Sequence, residues 1–502
     1  MKNIKFNIIK VLSIAMLAYS CSDVLDEAPD NRIESIDSAD KIAELLVGAY
    51  PEAAYVSFLE PMSDNAGDKG PSADTGIDFA TTLNQRMFFW EDMNDVDEDT
   101  PTNYWNSAYK AIAQANQALE SIEELGGGAE FNYLKGEALM CRAYAHFMLV
   151  SIFSKSYDPT TAASDLGVPY VSEPETVLLG DYERGTVKEV YEKIQEDIEN
   201  GLPLIEDNYN IEAYHFTKQA ANAFASRFYL HTGAWEKVIE HSTLALGAGG
   251  AAVLRDWENE YSPLTYSEQT LRYTSSTQEP ANLLLVSAES LYNRYHYSAR
   301  YQLNSTIAGQ LFFGGNILGK SWSFGVYGSS DLYYNIPKYD EYFKVTNQAA
   351  GTGTAYVTYV LLSTDEALLN RAEAYAMLGQ FDNAVADINL SLSVKTEGYN
   401  PATDELTVAD VAAIYQGFPD TVYTPFYNIT ADALPFVAAI LDIKRTVFYN
   451  DGLRWFDIKR HNMEVKHTDI LGNVYTLTKD DNRRQLQIPE AAQSFGITPN
   501  PR

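Results

Sequence analysis

The common catalytic motifs are missing from this sequence. It has no G-x-S-x-G elbow, no Walker loop and no HExxH. Its seven histidines show no paired metal-ligand spacing, and His461 and His467, six residues apart, do not share a helix face. A glycosidase needs two carboxylates at a set separation. With 69 acidic residues some such pair is always available, so acidity supports no hydrolase. The run Asp95, Asp97, Glu98 and Asp99 could hold Ca²⁺, but it lacks the EF-hand Gly and terminal Glu and reads as a solvated face. Cys141 lies in LKGEALMCRAYAHFMLVSIF, where a thiol is a small hydrophobe in a core. No cofactor is implied, and the chemistry left is binding.

Aromatic residues supply it. The chain has 35 tyrosines, and aromatics make up 13% of it. Flat sugar faces bury their C–H groups on aromatic rings, while amides, carboxylates and arginines satisfy ring hydroxyls. Aromatics at helical spacing read as core, which sets aside Tyr104, Trp105, Tyr109, Trp235, Phe381, Trp455 and Phe456. The candidates for ligand contact lie where helical periodicity fails. Tyr292, Tyr295 and Tyr297 stand in SLYNRYHYSARY, which also reads as a strand with alternate tyrosines buried. Trp322, Phe324, Tyr327 and Tyr333 stand among Gly and Ser in GKSWSFGVYGSSDLYY. The expectation for Trp322→Ala is lost binding with little change in melting temperature.

The elements that must position these rings are mainly helices. Residues 104–119 and 132–153 read as adjoining helices around the Gly126–Gly128 turn. Val187, Val190, Tyr191, Ile194 and Ile198 line one face of a helix over 186–200, opened by a Thr186/Glu189 capping box. Ser363 and Glu366 open another at 364–378. Two segments resemble each other, AFASRFYLHTGAWEKVIEHSTLAL from Ala223 and AEAYAMLGQFDNAVADINLSL from Ala372. Gly233 aligns with Gly379, Trp235 with Phe381 and Val238 with Ala384, the helix–turn–helix logic of the tetratricopeptide repeat. The fold expected is mainly α: a single large domain over 36–502, with tetratricopeptide-like pairs as scaffold and long irregular insertions, the aromatic-rich one at about 248–355.

The first residues give an address. Lys2, Lys5 and Lys10 precede a short apolar run, Val11 to Ala18, and Ser20 abuts Cys21. Residues 1–20 read as a lipoprotein-type signal peptide, Cys21 as the lipidated residue and 21–35 as a flexible acidic tether. Removing the three lysines takes the formal charge from −33 to −36. So acidic a chain is a poor ligand for nucleic acid, and its membrane contact is expected through the lipid alone.

In order along the chain, CSDVLDEAPD with LLVGAY, YWNSAYKAIAQANQAL, ALMCRAYAHFMLVSIF, GVPYV, RGTVKEVYEKIQEDI and ILDIKRTVFYNDGLRWFDIKRHN resemble the SusD/RagB family of outer-membrane lipoproteins of Bacteroidota. The block around Lys444-Arg445 and Asn450-Asp451-Gly452 departs from the family pattern, as does the ending RQLQIPEAAQSFGITPNPR. The resemblance implies a cell-surface, outer-membrane binder of a glycan that acts as a lid on a SusC-like TonB-dependent transporter, without enzyme activity. It also implies that the segment before the first long helix joins the binding face, which adds Phe79, Arg86 and Trp90 to the candidates. The alternatives are a RagB-like peptide-binding lid and a scaffold subunit with no ligand specificity of its own.

Overall fold

The computed structural model of the protein describes residues 36–174, 182–328, 330 and 332–502. The signal segment, Cys21 and the tether lie outside the described residues. The fold is mainly helical. Its principal helices are α1 (Ala39–Val47), α2 (Val56–Met62), α3 (Asp78–Phe88), α4 (Pro101–Glu124), α5 (Asn132–Phe153), α6 (Val187–Gly201), α7 (Lys218–Thr232), α8 (Trp235–Leu246), α9 (Thr364–Met377), α10 (Phe381–Ser393), α11 (Leu434–Val447) and α12 (Leu453–Arg460). The strands form small antiparallel sheets. β1 (Gly67–Asp68) pairs with β3 (Tyr301–Gln302). β2 (Asn282–Glu289), β5 (Thr352–Ser363) and β4 (Glu341–Asn347) lie side by side in that order. β6 (Val465–Thr468) and β7 (Val474–Leu477) make a hairpin.

Local chemistry explains the helix ends. The Thr100 hydroxyl accepts from the Asn103 amide, and Pro101 occupies the first turn of α4. Thr186 and Glu189 form the reciprocal capping box of α6, whose five apolar residues are buried. Gly233 and Gly379 take left-handed φ of +71° and +70°. They close α7 and α9 so that α8 and α10 fold back antiparallel. Trp235 and Phe381 open the returning helices, packing on Tyr427 and Phe436 at ring distances of 4.8 and 4.4 Å. Helix α9 packs on α8, α10 and α11, so the two related hairpins stack.

Buried ion pairs tie the layers. Arg142 of α5 meets Asp197 of α6 through two bonds of 2.8 and 2.7 Å. Ser363 caps α9, but the Glu366 carboxylate turns to Arg227 of α7 at 2.7 and 2.5 Å. Glu373 of α9 receives Lys444 of α11 at 3.2 Å and Arg460 of α12 at 2.9 Å. Removing one partner of such a pair strands the other in a low-dielectric interior, at a cost of about 3–5 kcal/mol.

Three readings are corrected. Residues Tyr292–Tyr295 form a helical turn, not a strand. Asp99 is buried, not solvated: it accepts from Ser290 Oγ at 2.5 Å, the Leu291 amide at 3.0 Å and Tyr295 Oη at 3.2 Å. Burial raises its pKa to about 7 against those three bonds. The 248–355 insertion is less irregular than expected, since it contributes β2 and β4 and the short helix Tyr266–Tyr273. Cys141 is buried as a free thiol, raised well above its ordinary pKa by that burial.

Candidate functional site

The turn after α3 builds the first wall of an open groove of about 710 Å³. The Trp90 amide donates to Met87 O and the Glu91 amide to Arg86 O, the paired bonds of a Schellman C-cap. That motif wants glycine at its left-handed position. Here Trp90 holds it, at φ +54°. A Cβ in that conformation costs about 1–2 kcal/mol, and strain of this kind collects at functional sites.

The surroundings hold Trp90 in place. Its Nε1 donates to Met62 O at 2.9 Å. Its ring stacks on His467 at 4.5 Å, and Phe88 covers the other imidazole face at 4.0 Å. The two nitrogens of His467 lie 2.7 Å from Phe88 O and from Ser63 O. Burial lowers the His467 pKa, and these two carbonyls oppose it. The 63–70 corner beneath is pinned by Asp64, which receives Arg454 at 2.8 and 2.7 Å. Burial works against the Asp64 charge, but Arg445 and Arg454 override it and hold the carboxyl well below the usual range.

Trp90 is nearly covered, so the ring surface open to solvent comes from Phe89 and from Tyr475 of β7. Their rings meet edge to face at 4.8 Å, and Tyr475 is 36% exposed. Arg483 lies 5.8 Å over the Trp90 ring and pairs with Asp481. Arg502 pairs with Asp92 at 2.7 Å. Glu91, Thr476 and Val474 complete the lining. Two adjoining rings flanked by guanidiniums and carboxylates suit a ligand with flat apolar faces and many hydroxyls.

Beyond the β6–β7 hairpin the surface continues. The Asp68 carboxylate accepts from Arg300 at 2.7 and 2.9 Å and from the Ile470 amide at 3.2 Å, joining the hairpin to β1 and β3. Next to it, Lys69 Nζ donates to Tyr297 O at 2.8 Å and Leu332 O at 3.0 Å. This brings the exposed Tyr297 and Tyr333 to the same part of the molecule.

The residues expected to bind thus divide. Trp90 reaches the groove by its edge, and Arg86, exposed, donates to Asp92 O at 2.7 Å behind it. Phe79 is half-buried against the core. Tyr297 and Tyr333 are exposed, and Tyr327 is half-buried against Tyr266 at 5.1 Å. Tyr292 and Tyr295 are core residues at 1% and 2% exposure, because the helical turn points both inward. Trp322 and Phe324 also pack inside, with Phe324 4.7 Å from Trp257 and 5.9 Å from Phe312. The 321–324 segment is held there by pairing with 395–397, through Ser323 N to Lys395 O and Glu397 N to Ser321 O. These four rings are corrected from ligand contacts to packing.

Phe89, Tyr475, Arg483 and Arg502 escaped the sequence reading. Phe89 stands beside Trp90 in a segment already singled out. Tyr475 belongs to the pattern VKHT, a Gly-Asn turn, VYTL, which is a hairpin signal. The two arginines carry no local signal. Among the described residues no cluster of His, Cys, Asp or Glu could hold a metal, and no helix is long and apolar enough to cross a membrane.

Comparison with known proteins bears on this arrangement. Residues 23–230 match a family described as SusD-like, "starch-binding associating with outer membrane". No curated protein matches the chain. Solved structures match it along most of its length. A SusD superfamily protein from Bacteroides fragilis is 19% identical, with a TM-score of 0.66 over 92% of this chain and 99% of its own. A protein described as a putative sugar binding protein, from Bacteroides vulgatus, is 20% identical, with a TM-score of 0.65 over 93% and 99%. A SusD-like carbohydrate binding protein from the same species is 17% identical, with a TM-score of 0.62 over 91% and 96%. Residues 23–230 thus match the SusD-like family, and over more than nine-tenths of its length the chain shares the fold of SusD-like structures.

Proposed function

We propose that this protein binds a glycan at the cell surface and passes it to a TonB-dependent transporter of the outer membrane. The observation that carries the reading is the groove in which the half-buried ring of Phe89 and the exposed ring of Tyr475 meet beside Arg483 and Arg502. Its open shape suits a polymer that passes along the surface through it, with Tyr297 and Tyr333 as a second contact further on. The family description and the sugar-binding relatives support a carbohydrate as the ligand. A lipid on Cys21 would tether the body, and the helical hairpins would present the other face to the transporter. The role is capture without cleavage.

Affinity electrophoresis against plant, host and microbial polysaccharides tests the proposal. Retardation by one polymer class, with the polymer recovered intact, is expected. Migration unchanged in every gel, with binding to peptides instead, would overturn the glycan reading in favour of a peptide lid.

A further inference from the structure

Behind the groove lies a second cavity, of about 340 Å³, between the segment that follows α5, the end of α12 and residues 480–485. Arg483 faces the groove and its neighbour Arg484 lines this cavity, so one short turn separates the two. We propose that the cavity is a binding site for a small oxyanion, a phosphate or the carboxylate of an acidic sugar, held by Lys459 and Arg484.

Both cations are buried, at 6% and 7% exposure, and among the described residues neither forms an ion pair with a carboxylate. Lys459 Nζ donates to the carbonyls of Ser151 and Ser154 at 2.5 and 2.7 Å. The two terminal nitrogens of Arg484 donate to the carbonyls of Ile458, Met463 and Thr478. One ammonium proton and the Arg484 Nε–H are left over. Carbonyl dipoles orient these cations without neutralising them. In a chain with 69 acidic residues, two adjacent buried cations without a carboxylate are an unusual arrangement.

The carboxylates that line the cavity have partners of their own, although the buried Asp165 Oδ2 has none. Asp165 takes Lys155 at 2.7 Å, and Asp481 takes Arg483 at 2.8 Å. Asp158 accepts from the Thr160 amide at 2.8 Å, and the exposed Asp480 accepts from the Asn462 amide group at 3.1 Å. Burial, with the nearby Arg484, lowers the Lys459 ammonium to about 7, and burial lowers Arg484 to about 10 against the pull of Asp480 and Asp481. An anion between them would remove the mutual repulsion and keep Lys459 charged. The hydroxyl of Tyr157 supplies a neutral donor on the same lining. The volume lies within the range of about 300–1,000 Å³ usual for small-molecule sites.

The test is calorimetric titration of the purified protein with inorganic phosphate and, separately, with glucuronate, at constant ionic strength. Saturable binding of either supports the proposal, phosphate identifying a tetrahedral oxyanion and glucuronate a sugar acid. Lys459→Met should weaken that binding at least tenfold. Absence of binding for both anions, or undiminished binding in a folded Lys459→Met, would overturn the proposal. Should that variant fail to fold, crystals of the unaltered protein grown with selenate decide. An anomalous peak between Lys459 and Arg484 supports the site, and a cavity without one overturns it.

Discussion

Tyr475→Ala separates binding from folding. The ring is 36% exposed and its hydroxyl reaches only Asp469, at 3.3 Å through a solvent-exposed bond. A tyrosine carries roughly 200 Å² of surface, so about 70 Å² is open for a ligand to cover. At about 25 cal/mol per Å², covering it contributes up to about 1.8 kcal/mol. Losing that contact weakens affinity by up to about 20-fold. The fold loses little, about 1 kcal/mol for the edge-to-face contact with Phe89 and the exposed hydrogen bond. Isothermal calorimetry with the glycan that retards the wild type, paired with a thermal melt, measures both quantities. A variant that binds within twofold of wild type and melts normally would refute the assignment of the groove. A variant that melts far below wild type would refute the premise that Tyr475 is a surface ring.

Trp322→Ala should behave in the opposite way, losing about 3–5 kcal/mol of stability because the ring is 8% exposed and packed against Phe324 at 5.6 Å; a denaturant midpoint unchanged from wild type would return the ring to the surface. Glu60 lies buried under the same corner, accepting from the Asn450 amide and the Asn65 side chain at 3.0 Å each, and burial raises its pKa from 4.5 to about 7. Its protonated form therefore favours folding below the unfolded pKa, and that contribution is lost as pH rises from about 4.5 through 7. Glu60→Gln should accordingly gain up to about 3 kcal/mol over wild type at pH 8 and nothing at pH 4.5; an equal difference at both pH values, read from urea melts, would contradict the burial argument. Gly379→Ala should cost about 1–2 kcal/mol, for the left-handed φ alone, since no atom lies within 4 Å of its added Cβ. Gly452→Ala should cost more, because its Cβ would come within 2.9 Å of the Tyr55 ring; equal melting temperatures for the two variants would speak against that close approach.

The scaffold was legible because its signals are local. Helix α6 has its cap and its apolar stripe within fifteen residues, and the Gly233 and Gly379 turns need only a left-handed residue followed by an aromatic. Binding surfaces are not local in this sense. Tyr292, Tyr295 and Tyr297 look alike in sequence, and only the helical turn decides that the first two point inward and the third outward. Trp322 and Phe324 sit among glycines as a ligand loop would, yet residues 395–397, some seventy positions on, pair with the segment and carry it into the core. Asp99 shows the same limit from the polar side, since its three donors come from residues nearly two hundred positions away. The groove joins residues 89–92 to 474–476, 483 and 502, a juxtaposition set wholly by tertiary packing.

The most direct measurement is a crystal structure of the protein with a bound oligosaccharide of the polymer class that retards it. Sugar rings should lie over Tyr475 and Phe89, with hydroxyls at Arg483, Arg502 or Glu91, and no sugar should touch Trp322 or Tyr292. Sugar bound elsewhere, with the Phe89–Tyr475 groove empty, would contradict it.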